Sequence, residues 1–126
     1  MTRQPELDTI LVVDDEAGIR QLVDRILRRA GHETLLASNA PEALRLFDAN
    51  APAIGLVLLD WHLPGVSGRE ALAQLLSRRS DLRIVLMTGG REATMDEHGT
   101  HDSISILLKP FTATELLLTV RTVLGA

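Results

Sequence analysis

Five short apolar runs, separated by longer stretches of mostly helical pattern, constrain this chain more than any other feature. The runs are Ile10 to Val13, Thr34 to Ala37, Ile54 to Leu59, Arg83 to Met87 and Ile104 to Leu108. Each has the length of a strand, and three are nearly continuous hydrophobics, as expected for parallel strands covered on both faces. Ile19, Leu22, Val23, Ile26 and Leu27 recur at helical spacing and predict one apolar helix face. Gly31 stands where the cap of that helix belongs. Pro41 is placed at the first position of a second helix, with Leu44 and Phe47 facing inward. Ser67 and Glu70 read as a capping box ahead of Leu72, Leu75 and Leu76. Thr112 and Glu115 repeat the device ahead of Leu116, Leu117, Val120, Val123 and Leu124. Arg91 to Ser103 has hardly an apolar stripe and predicts a short helix or a loop. Five βα units in this order specify an α/β sandwich, one parallel sheet between two helical layers.

The chain has 126 residues, of which 45% are hydrophobic and 24% charged. That length suits a single domain spanning residues 1–126, with residues 1–7 as a flexible lead-in. A net charge of −4 argues against a domain that itself holds nucleic acid. The absence of cysteine removes disulfide and thiol chemistry. The polar start and the short first apolar run match neither a signal peptide nor a membrane span, and a cytoplasmic protein without membrane insertion is expected.

Polar residues appear where the apolar runs stop. The first run ends in Asp14 and Asp15 with Glu16 beyond, the third in Asp60, the fourth in Thr88, and the fifth in Lys109-Pro110. In an open parallel sheet these ends share one crevice, which is where such sheets bind ligands. Two carboxylates about 4 Å apart repel by roughly 4 kcal/mol at an effective dielectric of about 20. Three together raise one another's pKa or recruit a cation. A hard divalent ion held by oxygen ligands suits the cluster, so Mg²⁺ (or Mn²⁺) is expected, with Lys109 and Thr88 opposite it around a phosphoryl group. A carboxylate is a competent nucleophile toward phosphorus, and Asp60, which ends the central run before a loop, is the best candidate. Taken singly, an acidic residue after a strand is a solvated or capping residue, Lys109-Pro110 marks a strand end, and Thr88 is a turn residue. Their coincidence at successive strand ends is what points to a site.

These residues resemble the receiver domains of two-component response regulators over nearly the whole chain. The matching motifs are Val12-Val13-Asp14-Asp15-Glu16, Leu59-Asp60 with Leu63-Pro64-Gly65 and Gly68, Met87-Thr88-Gly89, and Lys109-Pro110-Phe111. The resemblance implies a doubly wound, five-stranded parallel sheet of order 2-1-3-4-5 with about five helices, the fourth short or irregular. It implies that Asp60 accepts a phosphoryl group from a histidine kinase or histidine phosphotransfer protein. Asp15, Asp60 and the backbone carbonyl of His62 would then bind Mg²⁺ directly, and Asp14 through a metal-bound water. Lys109, Thr88 and the amide of Gly89 would contact the phosphoryl group. The outcome would be a conformational switch controlling an effector protein or domain, rather than turnover as an enzyme, accompanied by slow self-catalysed dephosphorylation.

Two departures bear on output. Ile106 stands where receivers commonly carry a switch aromatic, and Asp102-Ser103 replaces the usual Gly-Ala before the last strand. Signalling is therefore expected to rely on local ordering of Arg91 to Ser103. His98 and His101 read as exposed loop histidines rather than a metal pair. Trp61 reads as a partly exposed loop aromatic, and the His62 side chain as one that tunes water access. Leu118 lies off the last helix's apolar stripe, consistent with a weak dimer through that helix and the fifth strand. An aspartate-nucleophile phosphatase would place nucleophile and acid two residues apart after the first strand, which Asp14-Asp15-Glu16 does not do. A flavin or nucleotide binder would need a glycine- or hydroxyl-rich loop there. A pseudo-receiver would lack the complete acidic set. The chain is expected to be either a stand-alone regulator or a receiver excised from a hybrid histidine kinase.

Overall fold

The computed structural model describes residues 9–89 and 104–125. Its elements run β1 (Thr9–Val13), α1 (Ala17–Arg29), β2 (Glu33–Ala37), α2 (Ala40–Asn50), a 3-10 turn (Ala51–Ala53), β3 (Ile54–Asp60), α3 (Gly68–Arg78), β4 (Ile84–Thr88), β5 (Ile104–Leu108) and α4 (Ala113–Leu124). The expected helical segment between β4 and β5, with His98, His101 and Asp102-Ser103, lies outside the described residues, as does the lead-in. All strand pairs are parallel, in the order β2-β1-β3-β4-β5. The chain leaves β1 for β2 on one side and returns to β3 on the other. The order therefore reverses between β1 and β3, which opens a crevice at their carboxyl ends.

Alternation along the strands builds a core on each face of the sheet. Leu11, Val13, Val57, Leu59, Ile84 and Leu86 pack with Phe47 of α2 and Leu72 and Leu75 of α3. Ile10, Val12, Leu56, Leu58, Val85 and Met87 pack on the other face with Val23 and Leu27 of α1 and Leu116 and Val120 of α4. Ile54 breaks the alternation, joining the first group, where the β1–β3 register shifts between Thr9 and Ile10. Each leucine fully withdrawn from water here contributes about 1.5–3 kcal/mol.

Some local expectations need correction. Leu22 was expected on the buried face of α1 but is 47% exposed; the buried stripe is narrower, carried by Val23 and Leu27 with Ile19 and Ile26 at its edge. Pro41 occupies the second position of α2, because Asn39 is the cap and accepts the Glu42 amide at 2.8 Å. β4 begins at Ile84 rather than Arg83, whose guanidinium instead bonds the Val123 carbonyl near the end of α4 at 2.6 Å. Trp61, expected to be partly exposed, is buried.

The capping box of α4 is complete: Thr112 Oγ1 accepts the Glu115 amide at 3.0 Å, and Glu115 Oε1 accepts the Thr112 amide at 2.8 Å. At α3 the Ser67 hydroxyl accepts the Glu70 amide at 3.2 Å. Thr112→Ala should lower unfolding free energy by about 1 kcal/mol, read as a shifted urea midpoint with an unchanged slope. An unchanged midpoint would mean that α4 is held by packing alone.

Candidate functional site

The crevice collects the residues that the strand ends announced. Asp14 follows β1, Asp60 closes β3 and Thr88 closes β4, and all three are buried, while Asp15 is exposed. Carboxylate oxygens of Asp14, Asp15 and Asp60 lie within 4.8 Å of one another. Lys109, directly after β5, reaches across with Nζ 3.1 Å from Asp14 Oδ2 and 3.6 Å from Asp60 Oδ2. Its amide donates to the Thr88 carbonyl at 2.8 Å, tying the two strand ends together, and the Lys109–Pro110 peptide is cis.

Hydrogen bonds fix the acidic groups. Asp14 Oδ1 accepts the Glu16 amide at 2.9 Å. Asp60 Oδ1 accepts the His62 amide at 3.0 Å. Burial pushes the Asp60 carboxyl up to about 6 from 3.8; the His62 amide opposes this, Asp14 adds to it, Lys109 opposes it, and a hydrogen bond with Asp15 adds again. Burial works against the charge on Lys109, but its hydrogen bond and attraction to Asp14, then Asp60 and Glu16, prevail and raise its pKa. The cluster thus carries more negative charge than one ammonium balances. Its donors are all oxygen, which fits a hard divalent cation.

Gly89 is exposed beside Lys109, and a Cβ there would sit 3.8 Å from the Lys109 carbonyl oxygen, an ordinary contact. Gly68 differs sharply. A Cβ there would lie 2.4 Å from the Trp61 carbonyl oxygen and 2.7 Å from its Cα, so the start of α3 abuts the backbone just after Asp60. The Gly68 amide donates to that same carbonyl at 3.2 Å. Trp61 is anchored on its other side by its amide, which donates to Met87 at 2.9 Å, and Arg69 lies over its ring at 6.0 Å.

Sequence reasoning grouped Asp14, Asp15, Asp60, Thr88, Gly89 and Lys109; the structure brings the three carboxylates and the Lys109 ammonium together and sets Thr88 and Gly89 beside the Lys109 backbone. It saw Gly68 only as part of a motif, and it missed Arg20, whose Nη1 donates to the Asp14 carbonyl at 2.7 Å. The one available signal was an arginine a helical turn after Glu16. Ile106 is half-buried on β5 and packs with the α2–α3 core. Among the described residues, no helix is long and apolar enough to cross a membrane.

Residues 10–121 match the family described as "Response regulator receiver domain". The phosphate regulon transcriptional regulatory protein PhoB of Pseudomonas aeruginosa is 40% identical over 123 residues, covering 92% of this chain and 51% of that protein. Sporulation initiation phosphotransferase F of Bacillus subtilis is 32% identical over 110 residues, covering 86% of this chain and 87% of that one. Among solved structures, a response regulator receiver domain protein from Clostridium thermocellum superposes with a TM-score of 0.86 at 28% identity, over 94% and 95% of the two chains. The chain spans about half the length of several of the curated relatives it matches. Fold, strand-end chemistry and these matches agree: the chain belongs to the response regulator receiver domain family, the phosphoryl-accepting module of two-component signal transduction.

Proposed function

We propose that Asp60 is the phosphoacceptor, and that Asp14, Asp15, Asp60 and the His62 carbonyl hold Mg²⁺ (or Mn²⁺) beside it. The observation that carries this reading is the meeting of three carboxylates within 4.8 Å, with the Lys109 ammonium drawn onto two of them. An Asp60 oxygen attacks phosphorus in line on a donor phosphohistidine. A P–O bond forms, the P–N bond breaks, and the departing imidazole keeps the electron pair and takes up a proton. The bound cation would supply charge neutralisation for the carboxylates and the phosphoryl oxygens. Lys109 neutralises a further oxygen, and the Thr88 hydroxyl and Gly89 amide donate to the transferred group. The Lys109–Thr88 link then carries the change toward β4 and β5, biasing two pre-existing conformers.

The donor would be a histidine kinase or histidine phosphotransfer protein, and the recipient of the signal an effector protein or an attached domain. A cytoplasmic setting and a slow self-catalysed loss of the phosphoryl group fit this role. Exposed Leu108 on β5 and Leu118 on α4 support a weak dimer through those elements.

Trp61, the single tryptophan, stands next to Asp60 and reports the test. Its fluorescence should respond saturably to Mg²⁺ and then to beryllofluoride. Asp15→Ala should weaken the Mg²⁺ response at least about tenfold, the loss that even an outer-shell partner causes. Unchanged affinity in that variant would move the metal away from Asp15, and a wild type silent to both ligands would contradict the receiver chemistry.

A further inference from the structure

Every polar atom of buried Asp14 is engaged. Its amide donates to the Ala37 carbonyl at 3.1 Å, Oδ1 accepts the Glu16 amide at 2.9 Å, and Oδ2 meets Lys109 Nζ at 3.1 Å. Its carbonyl oxygen accepts from Arg20 Nη1 at 2.7 Å. The Arg20 amide meanwhile closes the first turn of α1 on the Glu16 carbonyl at 2.9 Å, so the side chain folds back from that turn to the strand end. The Asp14 carbonyl belongs to the planar peptide unit that leads into Asp15. Holding its oxygen therefore sets the direction in which Asp15 leaves β1.

The positive charge of Arg20 is also felt at a second loop. The Glu42 carboxylate accepts the Ser38 amide at 2.8 Å and the Ser38 hydroxyl at 3.1 Å. Glu42 is held below its ordinary pKa first by that amide, against the effect of burial, then by the Ser38 hydroxyl, Arg45 and Arg20.

We propose that Arg20 is a positioning residue for the metal site, aiming Asp15 at Asp60 by fixing the peptide between Asp14 and Asp15. This role rests on the reading of the acidic cluster as a Mg²⁺ site. Its signature is a sign. Deleting a nearby positive charge should, by electrostatics alone, tighten binding of a cation. Losing the aim of a ligand should weaken it, by about tenfold for a supporting partner. The two effects oppose each other, so the direction of the change separates positioning from simple charge.

The test is calorimetric titration of the full chain with Mg²⁺ alone, well below the unfolding temperature, with thermal unfolding recorded separately. The expected order of affinity is wild type, then Arg20→Lys, then Arg20→Gln, the last weaker by about tenfold. Lysine keeps the charge but offers a single-point ammonium in place of the planar fork. Glu42→Gln, which leaves the Asp14 contact intact, should bind Mg²⁺ as the wild type does. Unchanged or tighter binding in Arg20→Gln overturns the proposal. Should that variant fail to fold, affinity in Arg20→Lys equal to or above wild type does the same. A wild type that does not bind Mg²⁺ would sink the metal reading and this role together. Binding lost in Asp15→Ala but kept in Arg20→Gln would leave the metal reading standing and remove Arg20 alone.

Discussion

Asp60→Asn should abolish covalent phosphoryl acceptance while making the metal-free protein more stable. The first half follows from the nucleophile, since an amide oxygen cannot form the acyl phosphate under these conditions. The second follows from the cost of burying the Asp60 carboxylate beside buried Asp14. Asp60 titrates at about 6 in the fold against 3.8 ordinarily. Each pH unit of such a shift corresponds to about 1.4 kcal/mol between protonation states. Removing the charge should therefore raise metal-free stability near neutral pH by about 1–3 kcal/mol, the lower end allowing for an amide donor placed opposite the Lys109 ammonium.

The pH dependence carries the same sign. The unfolded chain releases the Asp60 proton near 3.8, and the folded one holds it to about 6. The stability contributed by this group is complete below the lower value and is lost as pH rises through the upper one. Asp24 and Glu42 work in the opposite direction, because their pKa values are lowered in the fold. The difference between wild type and Asp60→Asn isolates the Asp60 contribution: the gain in the variant should grow between about pH 4 and 6 and then level off. Urea unfolding at several pH values without divalent ions checks this, and a variant less stable than wild type at pH 7 would contradict it.

Gly68→Ala should be strongly destabilising although it adds one methyl group. The atoms a Cβ would meet are backbone atoms of Trp61, the nearest at 2.4 Å, and they cannot rotate aside. Overpacking of this kind costs about 1–3 kcal/mol. Helix propensity offsets this by about 1 kcal/mol at most, and by less at a first-turn position. The displaced segment includes the His62 amide that bonds Asp60, so Mg²⁺ affinity should fall along with the urea midpoint. Gly89→Ala is the control: its Cβ meets nothing nearer than 3.8 Å, and its stability should stay within about 0.5 kcal/mol of wild type. Equal effects of the two substitutions would mean that α3 can slide away from Trp61 without penalty.

The parallel sheet was legible because its central strands are covered on both faces and so read as nearly continuous apolar runs; Ile54 to Leu59 is the clearest case. The acidic site was legible because a parallel sheet sends every strand's carboxyl end to one edge, so Asp14, Asp60, Thr88 and Lys109 needed no contact information to be grouped. What escaped was whatever depends on distance between backbones. Nothing local marks Gly68 as pressed against the Trp61 peptide. Nor does anything local say that the Arg20 side chain turns back to the Asp14 carbonyl instead of pointing into solvent. Leu22 misled for a related reason. Spacing places it beside Val23 and Ile26, but how wide a stripe α1 buries depends on the neighbours that pack against it, and that stripe stops short of Leu22.

The most direct test of the central claim is to locate the phosphoryl group. The protein is incubated with phosphoramidate and Mg²⁺, then reduced with borohydride, which converts an aspartyl phosphate to homoserine, and the peptides are mapped by mass spectrometry. Conversion at Asp60 alone, abolished in Asp60→Asn, is the predicted result. Conversion at Asp14 or Asp15, or none in a protein shown to bind Mg²⁺, would contradict it.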